Sequence, residues 1–149
     1  MMYKRYFGQF KDNKQVLYEV QIWQESDSAF TVEEITLRDG ALRIEWGKKD
    51  KLDPIRTSGA TLNILCQSDR KFIDLYTVAV GTVRLDVYRA ESLYWSGTIS
   101  TESYEEPYYT SKGYAVTLTF SDFNILDRIK YSLTGFKTIN EVINYCLLS

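Results

Sequence analysis

The sequence predicts a mainly β fold, in which an antiparallel barrel-like or sandwich domain carries a C-terminal α-helix and one or two short helices. Three observations predict it. Aromatic residues make up 15% of the 149 residues, and only two prolines interrupt the chain. Apolar and polar residues also alternate with a period of two over several segments, as in strands that bury one face. We therefore expect at least six strands.

The predicted strands follow this alternation in chain order. Their apolar positions fall within 18–22, 42–46, 62–66, 83–87, 93–99 and 114–120. The fourth and fifth of these segments predict a hairpin that turns at Ala90 to Ser92. One face of the second strand in this hairpin is expected to carry Leu93, Trp95, Gly97 and Ile99. An Asp-Gly pair predicts another hairpin turn within 38–41.

The clearest predicted helix is the last element. Thr138 and Glu141 have the spacing of a capping box, and apolar residues recur at helical spacing at Ile139, Val142, Ile143, Cys146 and Leu147. We predict a β-rich domain over 1–134 and a C-terminal helix over 135–149, which either packs on the sheet or begins a further region of a longer protein. Short helical turns are expected around 69–76 and 121–129.

Charge and composition exclude several function classes. The chain has 18 Lys plus Arg, 20 Asp plus Glu and no His, which gives a formal net charge of -2. Neither sign forms a block, so nucleic acid is not an expected partner. Without His, the usual general base and zinc ligand are missing. No apolar run approaches the ~20 residues of a membrane span, and the first ten residues lack the apolar region of a signal peptide.

Residues that carry chemistry do not assemble into a motif. Gly-rich nucleotide-binding signatures, Ser nucleophile motifs and calcium-loop spacings are missing from the sequence. We therefore predict no enzyme activity, no catalytic residue, no cofactor and no metal. Cys66 and Cys146 lie in apolar contexts and are expected to be buried thiols, with a disulfide between them as the alternative.

The candidate interaction site is an acidic, tyrosine-rich stretch between two predicted strands, residues 100–112. Such a polar segment is expected to be an exposed loop, and Tyr side chains provide large contact areas at interfaces. The predicted interaction residues are Tyr104, Glu105, Glu106, Pro107, Tyr108 and Tyr109. The alternatives are that the tyrosines fold back over the sheet edge, and that the carboxylates act on a glycosidic bond.

Three stretches, 7–23, 93–122 and 125–147, resemble the N-terminal part of tail proteins encoded by phages and prophages of Bacteroidetes-type bacteria, of the baseplate hub or tail-tip class. The shared features are a strand pair with a Lys-Asp turn, a Trp-x-Gly strand, a loop with Glu-Pro-Tyr, a strand that ends in Ser-Asp and a final helix. In this sequence the last four fall at Trp95 to Gly97, Glu106 to Tyr108, Ser121 to Asp122 and Thr138 to Leu147.

The resemblance implies a structural role. Hub proteins of this class form a ring at the tip of the tail tube, commonly as trimers, through small β-barrel-like domains. It therefore implies a homo-oligomer that also contacts other tail proteins, made in the bacterial cytoplasm and located in the virion tail after assembly. Such hub proteins are usually much longer, so a truncated chain, a shortened prophage remnant and a separate small tail subunit all stay open.

A stand-alone β binding module for glycan or protein ligands is the alternative function. In that case the 100–112 loop would form the site together with Trp23, Trp46 or Trp95. The two functions differ in their surfaces, because a ring subunit needs edge strands and aromatic loops that pair with its neighbours.

Overall fold

Eight strands form one sheet in the computed structural model, which describes residues 1–47, 57–66, 72–76, 81–100, 113–122 and 138. The strands are β1 (Met2–Lys11), β2 (Leu17–Glu25), β3 (Glu33–Glu34), β4 (Leu37–Trp46), β5 (Ser58–Cys66), β6 (Val83–Arg89), β7 (Ser92–Ile99) and β8 (Tyr114–Ser121). Their order in the sheet is β3-β1-β2-β6-β7-β8-β5-β4. Among these strands the short β3 runs parallel to β1, and every other pair is antiparallel. The mainly β prediction is confirmed.

One continuous stretch of chain joins the two ends of the sheet. β3 pairs with β1, β4 pairs with β5, and the two residues between β3 and β4 bond to both sides. The N–H of Ile35 donates to the Phe7 carbonyl (2.8 Å), and the Thr36 carbonyl accepts from the N–H of Leu65 (2.8 Å). Strand ladders do not close the sheet, and the described residues contain no second sheet. Of the two expected architectures, the two-sheet sandwich is therefore wrong for these residues, because one sheet supplies the core.

A single hydrophobic core lies on one face of this sheet. Inward residues alternate along each strand, so that Val20 lies opposite Val87, and Ile22 opposite Leu85, across the β2–β6 ladder. Full burial of such side chains stabilises the fold by about 1.5–3 kcal/mol each. The largest fully buried side chains in the described residues are Tyr6, Phe72, Phe120, Ile22, Leu62, Ile64, Leu75, Leu85, Leu118, Val20, Val83 and Val87.

The helical turn expected around 69–76 is a 3₁₀ helix, Ile73–Leu75, within the described residues. Its Leu75 side chain is fully buried in the core. The Gln24 side-chain amide donates to the Asp74 carbonyl (3.1 Å), which fixes the turn against β2. The turn therefore covers part of the core that the strands leave open.

Two hairpin turns lie where they are expected, the β1–β2 turn at the Lys-Asp pair that the resemblance implies and the β6–β7 turn that alternation predicts. In the β1–β2 turn the Asp12 carboxylate accepts from the N–H groups of Lys14 (2.8 Å) and Val16 (2.9 Å). In the β6–β7 hairpin the two turn residues Ala90 and Glu91 have φ angles of 46° and 67°. Positive φ at both central residues is typical of the tight turn that matches strand twist.

Two predicted details of the strands are wrong, and bulges explain both. The β6–β7 ladder shifts register between Val87 and Tyr88, so Trp95 lies opposite Val87 while Leu93 lies opposite Tyr88 and is exposed. The Asp-Gly pair does not turn a hairpin, because Gly40 (φ 68°) lies inside β4, where the register to β5 shifts. A bulge accepts a residue of positive φ as readily as a hairpin does.

Several predictions lie outside the described residues. They are the C-terminal helix over 135–149, of which Thr138 alone is described, the helical turn after Asp122, and the thiol of Cys146. Cys66 is buried, as predicted. No helix in the described ranges has the length and hydropathy needed to cross a membrane.

Candidate functional site

The predicted interaction loop leaves the sheet where β7 and β8 separate. In the described residues these strands share two pairs, Thr98 with Ser121 and Ile99 with Phe120. The residues Tyr104, Glu105, Glu106, Pro107, Tyr108 and Tyr109 all lie outside the described residues. The structure therefore gives the position of the loop's two ends, at the end of β7 and the start of β8, and the site must be sought among the described side chains.

A group of partly or fully exposed apolar side chains lies where the β1–β2 and β6–β7 turns meet. We call it the turn-end patch and define it as Leu17, Tyr88 and Leu93 on the outer face of the sheet, together with Tyr18, which packs against the core, and Tyr94, whose ring meets Tyr18. Leu93 is 59% exposed, Tyr94 51% and Leu17 40%. Large apolar side chains that stay exposed and adjacent are a common mark of protein-binding surfaces. This patch is the strongest candidate interaction surface among the described residues.

Ring contacts hold the turn-end patch in shape. Phe10 and Tyr18 stack with centroids 5.2 Å apart, and Tyr94 meets Tyr18 edge-on at 6.3 Å. The Arg89 guanidinium lies 5.9 Å from the centre of the Tyr18 ring. The N–H of Ala90 donates to the Leu17 carbonyl (3.0 Å), so the two turns are tied together. Rigid aromatic anchors of this kind lose little conformational freedom when a partner binds.

A polar row borders the patch on the outer face of the sheet. The side-chain amides of Gln21 and Gln9 both donate to the Glu19 carboxylate. These bonds, first from Gln21 and then from Gln9, lower the pKa of Glu19, with a smaller contribution from the charge of Lys4. The resulting stabilisation is present above the ordinary pKa of a Glu and is lost as the pH falls through the lowered value. The carboxylate thus stays charged beside the patch.

The groove beside this row has a volume of about 330 Å³. It is lined by Leu17, Glu19, Gln21, Tyr88 and Glu91. Two carboxylates and two apolar side chains therefore share one concave surface next to the turn-end patch. Such a lining suits a protein segment with apolar and basic side chains better than it suits an anion.

The three candidate tryptophans lie in different surroundings. Trp95 is 5% exposed and donates its indole N–H to Ser58 Oγ (2.8 Å), so its ring cannot stack on a ligand. Trp23 is half-buried, with the Arg84 guanidinium 5.8 Å from its ring. Trp46 is 51% exposed. It borders an open groove of about 620 Å³ with Glu45, Gly47, Thr57, Ser58, Gly59 and Ser121.

A buried hydrogen-bond group lies beneath the Trp46 groove. The hydroxyl and the N–H of Ser58 both donate to the Asp122 carboxylate, the second at 2.8 Å, while the hydroxyl accepts from Trp95. Ser58 is buried. Ser58 lies in β5, Trp95 lies in β7 and Asp122 follows β8, so this group of hydrogen bonds joins the three strands. Sequence reasoning did not find it, although Trp95, Ser121 and Asp122 were singled out as motif residues.

The described residues contain no cluster of Cys, Asp and Glu with the geometry of a metal site. No protein-family model, no curated protein and no solved structure matches this chain.

Proposed function

We propose that the protein is a structural component of a phage or prophage tail, a baseplate hub or tail-tip subunit that acts through protein–protein assembly. The observation that carries the proposal is the turn-end patch, in which Leu17, Leu93 and Tyr94 are exposed and ring contacts hold Tyr18 and Tyr94. A ring subunit requires such surfaces to meet its neighbours and requires no catalytic group. Its partners would be further copies of itself, as in a trimer, and other tail proteins.

Three motifs of the resemblance support the proposal through their packing. The Lys-Asp turn is held by the Asp12 carboxylate, the Trp-x-Gly strand packs the Trp95 ring over Gly97, and the Ser-Asp strand end places the Asp122 carboxylate on Ser58. Each motif thus stabilises a corner of one β domain. A tail domain that repeats these motifs would repeat this packing.

The finer features of the fold belong to the same proposal. We infer that the sheet is barrel-like, since the stretch between β3 and β4 bonds to β1 and to β5. The β-rich domain would cover 1–134 and the helix 135–149, and the 104–109 loop would add a second contact surface. The protein would be made in the bacterial cytoplasm and would act in the assembled virion tail.

The solution mass of the purified chain tests the proposal. We expect an oligomer by light scattering, and we expect Leu93→Ser with Tyr94→Ser to weaken its association at least about tenfold, because hot-spot side chains carry most of the binding energy. Val32→Ser, which removes an exposed apolar side chain far from the turns in sequence, is the control. Tyr108→Ala with Tyr109→Ala tests the loop in the same assay.

Two results would count against this function. A wild-type chain that is monomeric at every concentration, with or without other tail proteins, contradicts assembly. An oligomer whose mass is unchanged by the Leu93 and Tyr94 substitutions, in a variant that melts like the wild type, removes the turn-end patch as the contact.

One observation favours a glycan-binding module as the second candidate. Trp46 offers an exposed ring at the edge of a polar, open groove, which suits a ligand with both apolar faces and hydroxyl groups. If this function holds, the wild type binds members of a glycan panel and Trp46→Ala loses at least about tenfold in affinity. Trp23→Phe, at the half-buried tryptophan, should bind as before. A panel without hits would contradict this candidate.

A further inference from the structure

The outer side of β4 carries backbone groups that no described strand pairs with. β4 is the last strand of the sheet, next to β5. The N–H of Gly47 donates to the Thr57 carbonyl (2.8 Å). Hydrogen-bonded and non-hydrogen-bonded pairs alternate along an antiparallel ladder, so this bond shows which residues of β4 bond to β5. Residues 43 and 45 then exchange hydrogen bonds with β5, whereas the N–H and C=O groups of Leu42 and Ile44 point away from the sheet.

The side chains on either side of Ile44 carry opposite charges. Arg43 and Glu45 are 74% and 63% exposed, and within one chain they form an ion pair with each other. Both lie on the outer face of the sheet, since Leu42 and Ile44 pack against the core. The strand is therefore charged on its solvent face and, within the described part of the chain, unpaired along its edge over the same residues.

The order Arg43-Ile44-Glu45 is complementary to itself when two copies of β4 run antiparallel. If two copies of β4 lie antiparallel with Ile44 opposite Ile44, the two Ile44 residues exchange both N–H···O=C bonds. The neighbouring positions then bring Arg43 of each copy opposite Glu45 of the other, in the non-hydrogen-bonded pairs where side chains lie closest. Opposite charges directly across a ladder stabilise it, and a two-fold axis through Ile44 makes the contact self-complementary.

We propose that β4 pairs with β4 of a second copy of this chain, antiparallel and centred on Ile44, and so extends the sheet across a two-fold axis. The occupant of the edge is a second copy because the charge order Arg-Ile-Glu is complementary to itself in that register and in that direction. The inference goes beyond the proposed function: it names a contact separate from the turn-end patch, and it holds or fails whatever that patch binds.

Charge reversal tests the pairing by light scattering across a concentration range. Glu45→Arg places like charges opposite each other, and so does Arg43→Glu, so each single variant should self-associate at least about tenfold more weakly than the wild type. The double variant Arg43→Glu with Glu45→Arg should recover association, because the exchanged charges are again complementary. An equimolar mixture of the two single variants should also associate, since each supplies the charge that the other lacks.

A control variant and a second set of variants distinguish the β4 contact from the turn-end patch. Glu25→Arg, an exposed charge reversal at the end of β2, should associate like the wild type. The series is then repeated in a background that carries Leu93→Ser and Tyr94→Ser, which removes association through the turn-end patch. Any association that remains in this background reports on the β4 contact alone. The proposal is overturned if the single variants associate like the wild type, if the double variant behaves like the singles, or if that background is monomeric with the wild-type β4.

Discussion

Replacing Gly97 with Ala is expected to lower the free energy of unfolding by about 3 kcal/mol, the upper part of the range for overpacking a core. A Cβ at this position would overlap the Trp95 ring, with Cζ2 at 2.8 Å, and would lie 2.9 Å from the backbone carbon of Ser121. Contacts this short force a neighbour to move, and here one neighbour is backbone.

The Trp95 ring has little freedom to move aside. It is buried, and its indole N–H is bonded to Ser58 Oγ, so any shift that makes room for a methyl group also stretches this bond. Trp95 and Gly97 lie two residues apart on one face of β7, which is the reason the motif has a single residue between them. Loss of strand pairing between β7 and β8 is the expected structural consequence.

Urea unfolding followed by Trp fluorescence measures the effect. Gly59→Ala on β5 is the matched control, because its Cβ would meet only the Phe120 carbonyl, at 3.4 Å, which is ordinary contact. We expect the control to stay within about 1 kcal/mol of the wild type. Equal midpoints for the two Ala variants would show that the Trp95 ring repacks freely, contrary to the expectation.

Local alternation was sufficient to predict most of the strands and, away from the bulges and strand ends, their buried faces. Val83, Leu85 and Val87 are all buried, as their period-two spacing predicts, and the hairpin to β7 turns at Ala90 and Glu91. Alternation predicts burial here because one face of each strand packs on a single core, so buried and exposed side chains follow each other in turn along the strand.

Features that depend on strand register could not be predicted in this way. Leu93 and Trp95 share an alternation pattern, yet a bulge at Tyr94, opposite Tyr88, places them on opposite faces. The residues around Gly40 form a bulge instead of a turn because β4 continues alongside β5 after it. Register is set by the partner strand, and a single strand's sequence does not contain it.

The candidate site likewise depends on contacts that local alternation does not reveal. The turn-end patch joins Leu17 and Tyr18 of one hairpin to Leu93 and Tyr94 of another, and these segments are about 75 residues apart in the sequence, so only tertiary structure brings them together. Trp46 and Trp95 occupy similar alternating segments, but one lies on an edge strand and the other inside the sheet. The signal in the sequence is a Leu-Tyr pair near the start of the second strand of each hairpin, at Leu17–Tyr18 and Leu93–Tyr94.

Replacing Asp122 with Ala is expected to lower the free energy of unfolding by about 2 kcal/mol, because hydrogen bonds to a charged group contribute about 1.5–3 kcal/mol. The carboxylate accepts both the N–H and the hydroxyl of Ser58, and Ser58 is buried. Without the carboxylate, both donors lose their acceptor at the start of β5, and the ladder between β5 and β8 loses its last anchor. Urea unfolding gives the size of the loss.

The Asn variant separates the two bonds. Its side-chain carbonyl can still accept the Ser58 N–H, while its amide has no lone pair for the Ser58 hydroxyl, whose hydrogen then loses its acceptor. Asp122→Asn should therefore lose about half as much stability as Asp122→Ala. If both variants unfold within about 0.5 kcal/mol of the wild type, water replaces the carboxylate and the group has no structural role. If Asp122→Ala is less damaging once Ser58 is also Ala, the two side chains are coupled and Asp122 acts on stability through Ser58.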